Sequence, residues 1–273
     1  MVAYDPNAFR RFEHAGWERL HAGYHRHWEH LTTQAIPGML GATGVGPGMR
    51  VLDVACGPGY VAGAAAERGA ETVGIDFSES MLKLAQSNFP ALAFRHGDAE
   101  DLPFAEGAFD CVLINFGVLH FPDADKALAE AYRVLKPGGR LGFTAWAGPE
   151  NSAIGIAMNA IAREGTLEVD LPEGTPVFRF ADHVECERAL AAIGFVRVAC
   201  DDMLLTWTLP APDKLMECFQ QATARTSGLL GAQDPAVLPA IAAAMAEGCR
   251  PYVEGGVANL PMPAVLTSAT RGS

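Results

Sequence analysis

The stretch that decides the fold is VLDVACGPGYVAGAAAERG, residues 51–69. Apolar residues and a single acid, Asp53, lead into Ala-Cys-Gly-Pro-Gly, and an alanine-rich segment follows and ends at Gly69. We interpret the first part as a buried strand and the last part as a helix that ends on glycine. Glycine at the junction allows a ligand to approach the backbone closely. The stretch therefore predicts a strand, turn and helix that border a binding site.

The same alternation of strand and helix continues along the chain. The predicted strands cover residues 49–55, 71–76, 91–98, 109–118 and 139–147, and the predicted helices cover 60–69, 78–89 and 123–136. Ser78 is the expected N-cap of the second helix, and Pro137-Gly138-Gly139 is expected to stop the third. Strands separated by single helices pair in parallel with right-handed crossovers. The pattern predicts an α/β fold with a doubly wound, Rossmann-like sheet and helices on both faces.

Composition restricts the class of protein. The chain has 273 residues, 49% of them apolar, and a net charge of −12. No apolar run is long enough to cross a bilayer, and the N-terminus has no secretory signal, so we expect a cytoplasmic protein that does not insert into membranes. A nucleic-acid partner requires a basic stripe, which the sequence lacks. A small-molecule ligand is the better expectation, and the oligomeric state stays open.

The cysteines and histidines do not form a metal-binding pattern. Six cysteines are dispersed without a CxxC pair, which favours buried free thiols in a reducing compartment. His21 and His25 have the i, i+4 spacing of helical metal ligands, but no acid stands beside them in a recognised motif. We therefore predict no metal site.

Three acids stand at the ends of three successive predicted strands: Asp53, Asp76 and Asp98. In an open parallel sheet, ligands bind beyond the carboxyl ends of the strands. A carboxylate at the end of the second strand can accept hydrogen bonds from both hydroxyls of an adenosine ribose. Three acids around one pocket favour a cationic ligand without phosphate.

The glycine spacing argues in the same direction. The phosphate-binding pattern GxGxxG requires a third glycine, and here Ala62 stands in its place while Gly63 comes one position late. A nicotinamide-dinucleotide oxidoreductase therefore remains an alternative, but not the favoured one. Titration with both cofactors would discriminate the two hypotheses.

Five blocks of sequence, in this order, resemble the motif set of class I S-adenosylmethionine-dependent methyltransferases. They are Asp53-Val-Ala-Cys-Gly-Pro-Gly59, Gly74-Ile-Asp-Phe-Ser78, Gly97-Asp-Ala-Glu-Asp-Leu-Pro-Phe104, Phe109-Asp-Cys-Val112 and Arg133-Val-Leu-Lys-Pro-Gly-Gly-Arg140. The nearest branch acts on small molecules and includes ubiquinone and menaquinone biosynthesis enzymes. The resemblance covers about residues 40–147. It implies S-adenosylmethionine as cofactor and a small methyl acceptor as substrate.

Carried over by position, the resemblance implies a set of cofactor-binding residues: Asp53, Ala55, Gly57, Gly59, Asp76, Phe77, Met81, Asp98, Ala99 and Asn115. Asp53 would organise the glycine loop, and Asp76 would hold the ribose. Phe77 and Met81 would cover the adenine faces. Ala55 departs from the family pattern, which often has glycine at this position.

For Asp98, Ala99 and Asn115, the resemblance implies contacts at the two ends of the cofactor. Asp98 and the Ala99 amide would contact the adenine edge, and Asn115 would lie by the amino-acid end. Tyr24, Trp28 and Gln34 stand on segments that cover the cofactor in related proteins.

The resemblance also implies a seven-stranded sheet, with a final antiparallel strand inserted between the fifth and sixth. We place the sixth strand at residues 195–199, with a possible continuation through MLLTWTL, and the last at 264–271. The predicted division is a helical N-terminal cover over 1–40, a core over 41–209, a helical insertion that acts as a substrate lid over 210–260, and the last core strand in 261–273. A packed accessory pair of helices is the alternative to the lid.

Methyl transfer to an acceptor depends on positioning and has no obligatory protein nucleophile. His120, in the loop after the fourth strand, is the candidate general base, and a structural hydrogen bond is the alternative for it. Intact cofactor motifs are also compatible with a catalytically idle cofactor-binding protein. The expected function is thus an S-adenosylmethionine-dependent methyltransferase, with those two non-methyltransferase hypotheses open.

Overall fold

A computed structural model describes residues 4–273 of the chain. Its sheet contains eight strands: β1 Arg50–Val54, β2 Glu71–Asp76, β3 Ala93–His96, β4 Phe109–Asn115, β5 Leu135–Trp146, β6 Phe195–Leu209, β7 Val253–Glu254 and β8 Val257–Arg271. The spatial order is β3-β2-β1-β4-β5-β8-β6, and the short β7 pairs with β8 outside this path. The predicted doubly wound α/β sheet is confirmed, with one short strand more than the expected seven.

Ten α-helices accompany the sheet within the described residues. They are α1 Pro6–Thr32, α2 Ile36–Ala42, α3 Tyr60–Glu67, α4 Glu79–Asn88, α5 Ala124–Val134, α6 Ala153–Glu164, α7 His183–Ile193, α8 Leu215–Ala222, α9 Ala224–Gly231 and α10 Leu238–Cys249. Ser78 caps α4 as predicted, because its side chain accepts a hydrogen bond from the Met81 amide at 3.2 Å.

The chain divides into two compact units. We call the first the sheet unit; it comprises Thr32–Ala147, Gly174–Met203 and Ala264–Ser273. The second, the helical unit, comprises the chain up to Leu31, Gly148–Glu173 and Leu204–Pro263. The predicted N-terminal cover and lid have most of their residues in the helical unit, and residues 1–3 of the cover lie outside the described residues. That these segments act as cover and lid stays a prediction.

The central strands of the sheet unit are buried on both faces. Val51 and Leu52 of β1 and Leu113 of β4 have no solvent exposure. Residues 127, 128 and 131 of α5 form a buried stripe at helical spacing that packs in the same core as β4. Parallel strands covered on both faces have continuous apolar runs, as observed here. A polar side chain inside such a run therefore requires a partner within the protein.

The strand β8 enters the sheet between β5 and β6. It runs antiparallel to β5, with Arg140 opposite Thr270 and Trp146 opposite Ala264. The insertion of an antiparallel last strand agrees with the expectation from the resemblance. The strand is longer than predicted, because it begins at Val257 rather than at residue 264.

Two element boundaries differ from the sequence prediction. The helix predicted to reach residue 136 ends at Val134, and β5 already begins at Leu135. Pro137 explains the early end, since proline disfavours helical backbone at the residue before it. The segment 137–139 lies within β5, where the pairing with β4 shifts register between Phe109 and Cys111. Within the helical insertion predicted over 210–260, α8 and α9 are separated at Thr223, which has an extended conformation.

The helical unit has an aromatic core. Trp28 contacts Trp207 with ring centroids 4.7 Å apart and Phe219 at 5.9 Å. The Trp207 indole donates a hydrogen bond to the His27 carbonyl at 2.8 Å. Trp28 thus has a packing role in this unit, and its expected cofactor contact stays a prediction. Within residues 4–273, no helix has the length and apolar character needed to span a membrane.

Candidate functional site

The glycine loop, residues 55–59, connects β1 to α3 and has an unusual backbone. Ala55, Gly57 and Gly59 have positive φ angles of +54°, +50° and +84°. A Cβ atom built on Gly57 would meet nothing within 4 Å, whereas one on Gly59 would lie 2.8 Å from the Phe94 ring. Gly57 therefore faces open space, as expected for a ligand contact, and Gly59 is also required by packing.

Asp76 fixes this loop from the end of β2. One carboxylate oxygen accepts a hydrogen bond from the Gly57 amide at 2.8 Å, and the other accepts from the Ser78 amide at 2.9 Å. The residue is buried, with 6% of its surface exposed. Burial raises the pKa of Asp76 to about 6, although the two amide bonds lower it. At neutral pH the carboxyl is therefore mostly ionised.

Further hydrogen bonds hold the loop in place. The Cys56 amide donates to the Ile75 carbonyl at 3.0 Å, and the Gly59 amide donates to the Cys56 carbonyl at 2.8 Å. The Asn88 side chain of α4 donates to the Pro58 carbonyl at 3.1 Å. The loop is thus bonded to β2 and α4 before any ligand binds, which reduces the ordering cost of binding.

Asp53 has a different role from Asp76. Its carboxyl accepts a hydrogen bond from the Ala62 amide at 3.0 Å and so satisfies one of the free amides at the start of α3. The side chain is almost fully buried. Burial raises the pKa of Asp53 to about 8, and repulsion from Asp76 contributes to the rise. Asp53 is therefore mainly protonated at pH 7 in the ligand-free chain.

Asp53 and Asp76 do not carry equal charge. Repulsion between them contributes to the raised pKa of Asp53 and favours the state in which only one of the two is ionised. Asp76, whose pKa is the lower of the two, is the ionised member at neutral pH. Of these two predicted acids, Asp76 therefore supplies the negative charge.

The loop after β3 contains the third predicted acid. Asp98 accepts a hydrogen bond from the Glu100 amide at 2.9 Å and forms an isolated β-bridge with Asp101. Ala99 is buried at the side of the apolar core of the sheet unit. Glu100 is also buried and accepts a hydrogen bond from the Asp123 amide at 2.9 Å. The loop is therefore well ordered, and the predicted contacts of Asp98 and Ala99 with adenine stay a prediction.

Phe77 and Met81 follow Asp76 on the β2–α4 connection. The Phe77 ring is partly exposed, and its carbonyl lies 3.0 Å from Nε2 of His96. Met81, in the first turn of α4, is only 3% exposed. Phe77 can offer more surface to a ring than Met81 can. The adenine contact predicted for each of them stays untested.

Asn115 ends β4 and has partners within the protein. Its amide donates to the Thr32 carbonyl at 3.1 Å, and its side-chain oxygen accepts from the Thr144 hydroxyl at 2.8 Å. The role predicted for it, at the amino-acid end of the cofactor, must therefore be compatible with this network. Thr144 was not among the predicted residues. A single polar residue within the apolar strand GFTAWA, 142–147, was the available signal.

His120 lies near Asp76. His120 belongs to a short 3-10 turn, Val118–His120, and its electrostatic effect lowers the pKa of Asp76, as does that of His96. The predicted general base is thus close enough to act electrostatically on the acid that fixes the glycine loop. Cys56, within the loop, is no competing nucleophile, because burial raises the pKa of its thiol well above the ordinary value.

The N-terminal histidines make separate contacts. Nδ1 of His21 lies 3.0 Å from the Glu18 carbonyl oxygen, and Nδ1 of His25 lies 3.6 Å from Glu29. Within residues 4–273, no group of three or more His, Cys, Asp or Glu side chains has the arrangement of a metal site. All six cysteines are free thiols in this structure.

The central segment of the sheet unit is similar to known proteins. Residues 52–143 match a family model described as a methyltransferase domain. This segment of the chain is therefore similar to methyltransferase domains. A demethylmenaquinone methyltransferase of Renibacterium salmoninarum is 43% identical over 122 residues, which are 45% of this chain and 48% of that protein. The chain thus spans about half the length of the curated relatives it matches.

Solved structures agree with the fold of the methyltransferase domain. A putative methyltransferase from Bacillus halodurans C-125 covers 88% of this chain and 100% of its own, with a TM-score of 0.57 and 23% identity. A geranyl diphosphate methyltransferase in complex with S-adenosylmethionine covers 88% of this chain and 85% of its own, with a TM-score of 0.52 and 20% identity. Residues 52–143 thus bear out the resemblance to methyltransferases, and the solved structures bear out the fold that the resemblance implies.

Replacing Ala55 with glycine should not destabilise the methyltransferase domain. Alanine at a φ of +54° carries strain that glycine avoids, so Ala55→Gly should be neutral or stabilising by up to about 1 kcal/mol. Ala65→Gly, in the buried face of α3, is the matched control and should lose about 1 kcal/mol or more. Urea unfolding of both variants measures the difference. An equal loss in both would contradict the strain at Ala55.

Replacing Asp53 with asparagine should change how stability depends on pH. A carboxyl whose pKa is raised on folding favours the native state below its ordinary pKa, and this contribution is lost as pH rises through about 8. Asparagine keeps an oxygen for the Ala62 amide and cannot ionise. Between pH 5 and pH 9, the free energy of unfolding of Asp53→Asn should therefore rise relative to that of the wild type. Urea unfolding measures this difference.

The control for this pH series is Asp110→Asn. Partial burial raises the pKa of Asp110, but Lys136, 2.6 Å from the carboxylate, and the hydrogen bond from the Arg50 amide together lower it below its ordinary value. Its stabilising contribution is present above its ordinary pKa and is lost as pH falls. This variant should therefore show no gain at high pH. A constant difference between Asp53→Asn and the wild type would show that Asp53 is ionised throughout.

Proposed function

We propose that the protein transfers a methyl group from S-adenosylmethionine to a small, moderately hydrophobic molecule. One observation carries the proposal. The ionised Asp76 closes β2 and bonds to the amide of Gly57, which itself faces open space. A buried carboxylate beside an unobstructed backbone suits a nucleoside that carries a positive charge and no phosphate.

The residues of the loop fit the cofactor. Each oxygen of Asp76 accepts one amide hydrogen in the free protein and has a second lone pair for a ribose hydroxyl. Bound S-adenosylmethionine would supply an activated methyl group on its sulfonium. Gly57 would approach it with backbone only, and Phe77 would offer an apolar surface to the adenine.

The methyl transfer itself depends on position. An in-line displacement requires an acceptor held about 3 Å from the methyl carbon, and orientation can supply much of the acceleration. Cys56 stays protonated and is unsuited to covalent catalysis. A general base is required only for an acceptor that arrives protonated, and His120 is the candidate for that role.

The acceptor is proposed only as a chemical class. The net charge of −12 supports a small molecule rather than a nucleic acid. The similarity to demethylmenaquinone methyltransferases, which extends over 122 residues, supports an apolar, quinone-like acceptor. The helical insertion over 210–260 is the proposed lid, and its apolar helices support a hydrophobic substrate.

The oxidoreductase alternative is disfavoured by the start of α3. A dinucleotide pyrophosphate binds to the free amides at the N-terminus of the first helix. Here the Ala62 amide already donates to Asp53, and a carboxyl group at this position would repel a phosphate when ionised. The comparisons with known proteins do not favour the alternative either.

The direct test is formation of S-adenosylhomocysteine. The protein would be incubated with S-adenosylmethionine and a panel of hydroxyquinones, phenols, amines and thiols, with product detected by mass spectrometry. We expect acceptor-dependent S-adenosylhomocysteine with at least one apolar acceptor. Tight binding of S-adenosylmethionine without turnover on any acceptor would support an idle cofactor-binding protein. Tight binding of a nicotinamide dinucleotide alone would overturn the proposal.

Replacing Asp76 with alanine should weaken S-adenosylhomocysteine binding by about 1–3 kcal/mol, because the ribose hydroxyls lose a charged acceptor. Calorimetric titration at pH 8 measures the loss, and Asp110→Asn is the control that should bind as the wild type does. The affinity of the wild type should also fall as pH drops through about 6, where Asp76 takes up a proton. Unchanged affinity in Asp76→Ala would contradict the role proposed for this carboxylate.

Replacing His120 with glutamine separates two roles for this residue. If His120 acts only through its charge on Asp76, the variant should raise the pKa of Asp76 and move the acid limb of cofactor affinity to higher pH. Its kcat at pH 8 would stay within about two-fold of the wild type, since loss of a general base costs about 100-fold or more. We expect the first result. A kcat lowered 100-fold with unchanged cofactor affinity would make His120 the base.

A further inference from the structure

Phe116 has a strained backbone at the carboxyl end of β4. Its φ angle is +55°, in the left-handed region that bulky side chains avoid. The side chain is also buried, with 5% of its surface exposed. Strain of this kind persists only where the surrounding structure holds it, and it is concentrated at functional sites. Phe116 follows Asn115 directly, at the edge of the sheet where the glycine loop lies.

Thr144 of β5 holds the backbone of this residue. The Phe116 amide donates to the Thr144 hydroxyl oxygen at 2.9 Å, and the same hydroxyl donates to the Asn115 side-chain oxygen at 2.8 Å. Asn115 and Thr144 are directly paired in the parallel register of β4 and β5. Thr144 has no solvent exposure. Its single hydroxyl is therefore fully used, as donor and as acceptor, in fixing the end of β4.

Trp146 holds the side chain of the same residue. Its ring is stacked on that of Phe116, with centroids 3.9 Å apart and planes inclined by 17°. Thr144 and Trp146 are two positions apart in β5 and therefore lie on the same face of the strand. We call this pair the β5 clamp. It fixes Phe116 at both its amide and its ring.

The clamp sets the direction of a backbone acceptor. In a planar trans peptide the N–H and the C=O point in opposite directions. The amide of Phe116 points to Thr144 on β5, so the carbonyl of Asn115 points away from this side chain. The other neighbour of β4 is β1. The turn after β1 is near, since a Cβ atom on Gly117 would lie 3.0 Å from that of Ala55. The clamp thus aims this carbonyl at the side of the glycine loop.

We propose that Thr144 is a positioning residue for the cofactor site. Its hydroxyl holds the Asn115–Phe116 peptide in the orientation that the bound cofactor requires, without contacting the cofactor itself. The inference rests on the proposed function, because it names a residue that serves the same site. Threonine suits this role, since its branched side chain has a restricted χ1 angle in a strand and keeps the hydroxyl directed.

Three variants test the proposal. Thr144→Val keeps the shape and removes the hydroxyl, and Thr144→Ser keeps the hydroxyl and removes a methyl group. Thr267→Val is the matched control, because Thr267 is an equally buried threonine of the same sheet unit whose hydroxyl contacts the sulfur atoms of Cys186 and Cys200. Each variant is checked for folding by circular dichroism and titrated with S-adenosylhomocysteine by calorimetry.

We expect Thr144→Val to raise the Kd for S-adenosylhomocysteine about five- to twenty-fold, since the strained peptide loses a buried hydrogen bond. Thr144→Ser should restore the Kd to within about three-fold of the wild type, and Thr267→Val should leave it unchanged within about two-fold. A merely structural role would lower the stability of Thr144→Val and Thr267→Val alike and leave both Kd values unchanged, which would overturn the proposal.

The wild type and a second variant make the outcome unambiguous. If the wild type does not bind S-adenosylhomocysteine, the proposed function fails, whereas binding by the wild type and equally by Thr144→Val defeats only the positioning role. Should Thr144→Val not fold, Thr144→Ala removes the same hydroxyl and should also raise the Kd about five- to twenty-fold. An unchanged Kd in Thr144→Ala would overturn the positioning role.

Discussion

The carboxylate of Asp76 joins two neighbouring connections of the sheet, and the arrangement of the site depends on it. One of its oxygens holds the amide of Gly57 in the glycine loop, and the other holds the amide of Ser78 at the start of α4. These two bonds give the loop its shape before any ligand arrives. They also keep a charged acceptor at the end of β2, where the sheet order exposes the edge to a ligand. The group that fixes the loop is thus also the one that we propose to bind the ligand.

Two acids that look alike in the sequence have different electrostatic roles. Asp53 lies inside the sheet unit and bonds to the first turn of α3, and burial raises its pKa to about 8. Asp76 has two amide donors and nearby histidines, so its pKa rises only to about 6. The protonated acid organises the helix, and the ionised acid is the one that we propose to bind the ligand. A positively charged cofactor without phosphate suits this division better than a dinucleotide does.

Much of the fold followed from local pattern, and the parts that did not depend on contacts between distant residues. The strand at 71–76 and the cap at Ser78 were predicted because alternation and capping are local signals. The helix Ala153–Glu164 and the early start of β5 were not predicted. The proton on Asp53 depends on burial by remote segments. The strain at Phe116 depends on Thr144, which is 28 positions away in the chain.

A crystal structure of the protein with S-adenosylhomocysteine tests the central claim most directly. The account predicts that both ribose hydroxyls lie within hydrogen-bond distance of the Asp76 carboxylate, while the bonds from Gly57 and Ser78 to that carboxylate persist. The ligand backbone should pass over Gly57, where the free structure has open space. A ribose bound elsewhere, or a glycine loop that separates from Asp76 to admit the ligand, would contradict it.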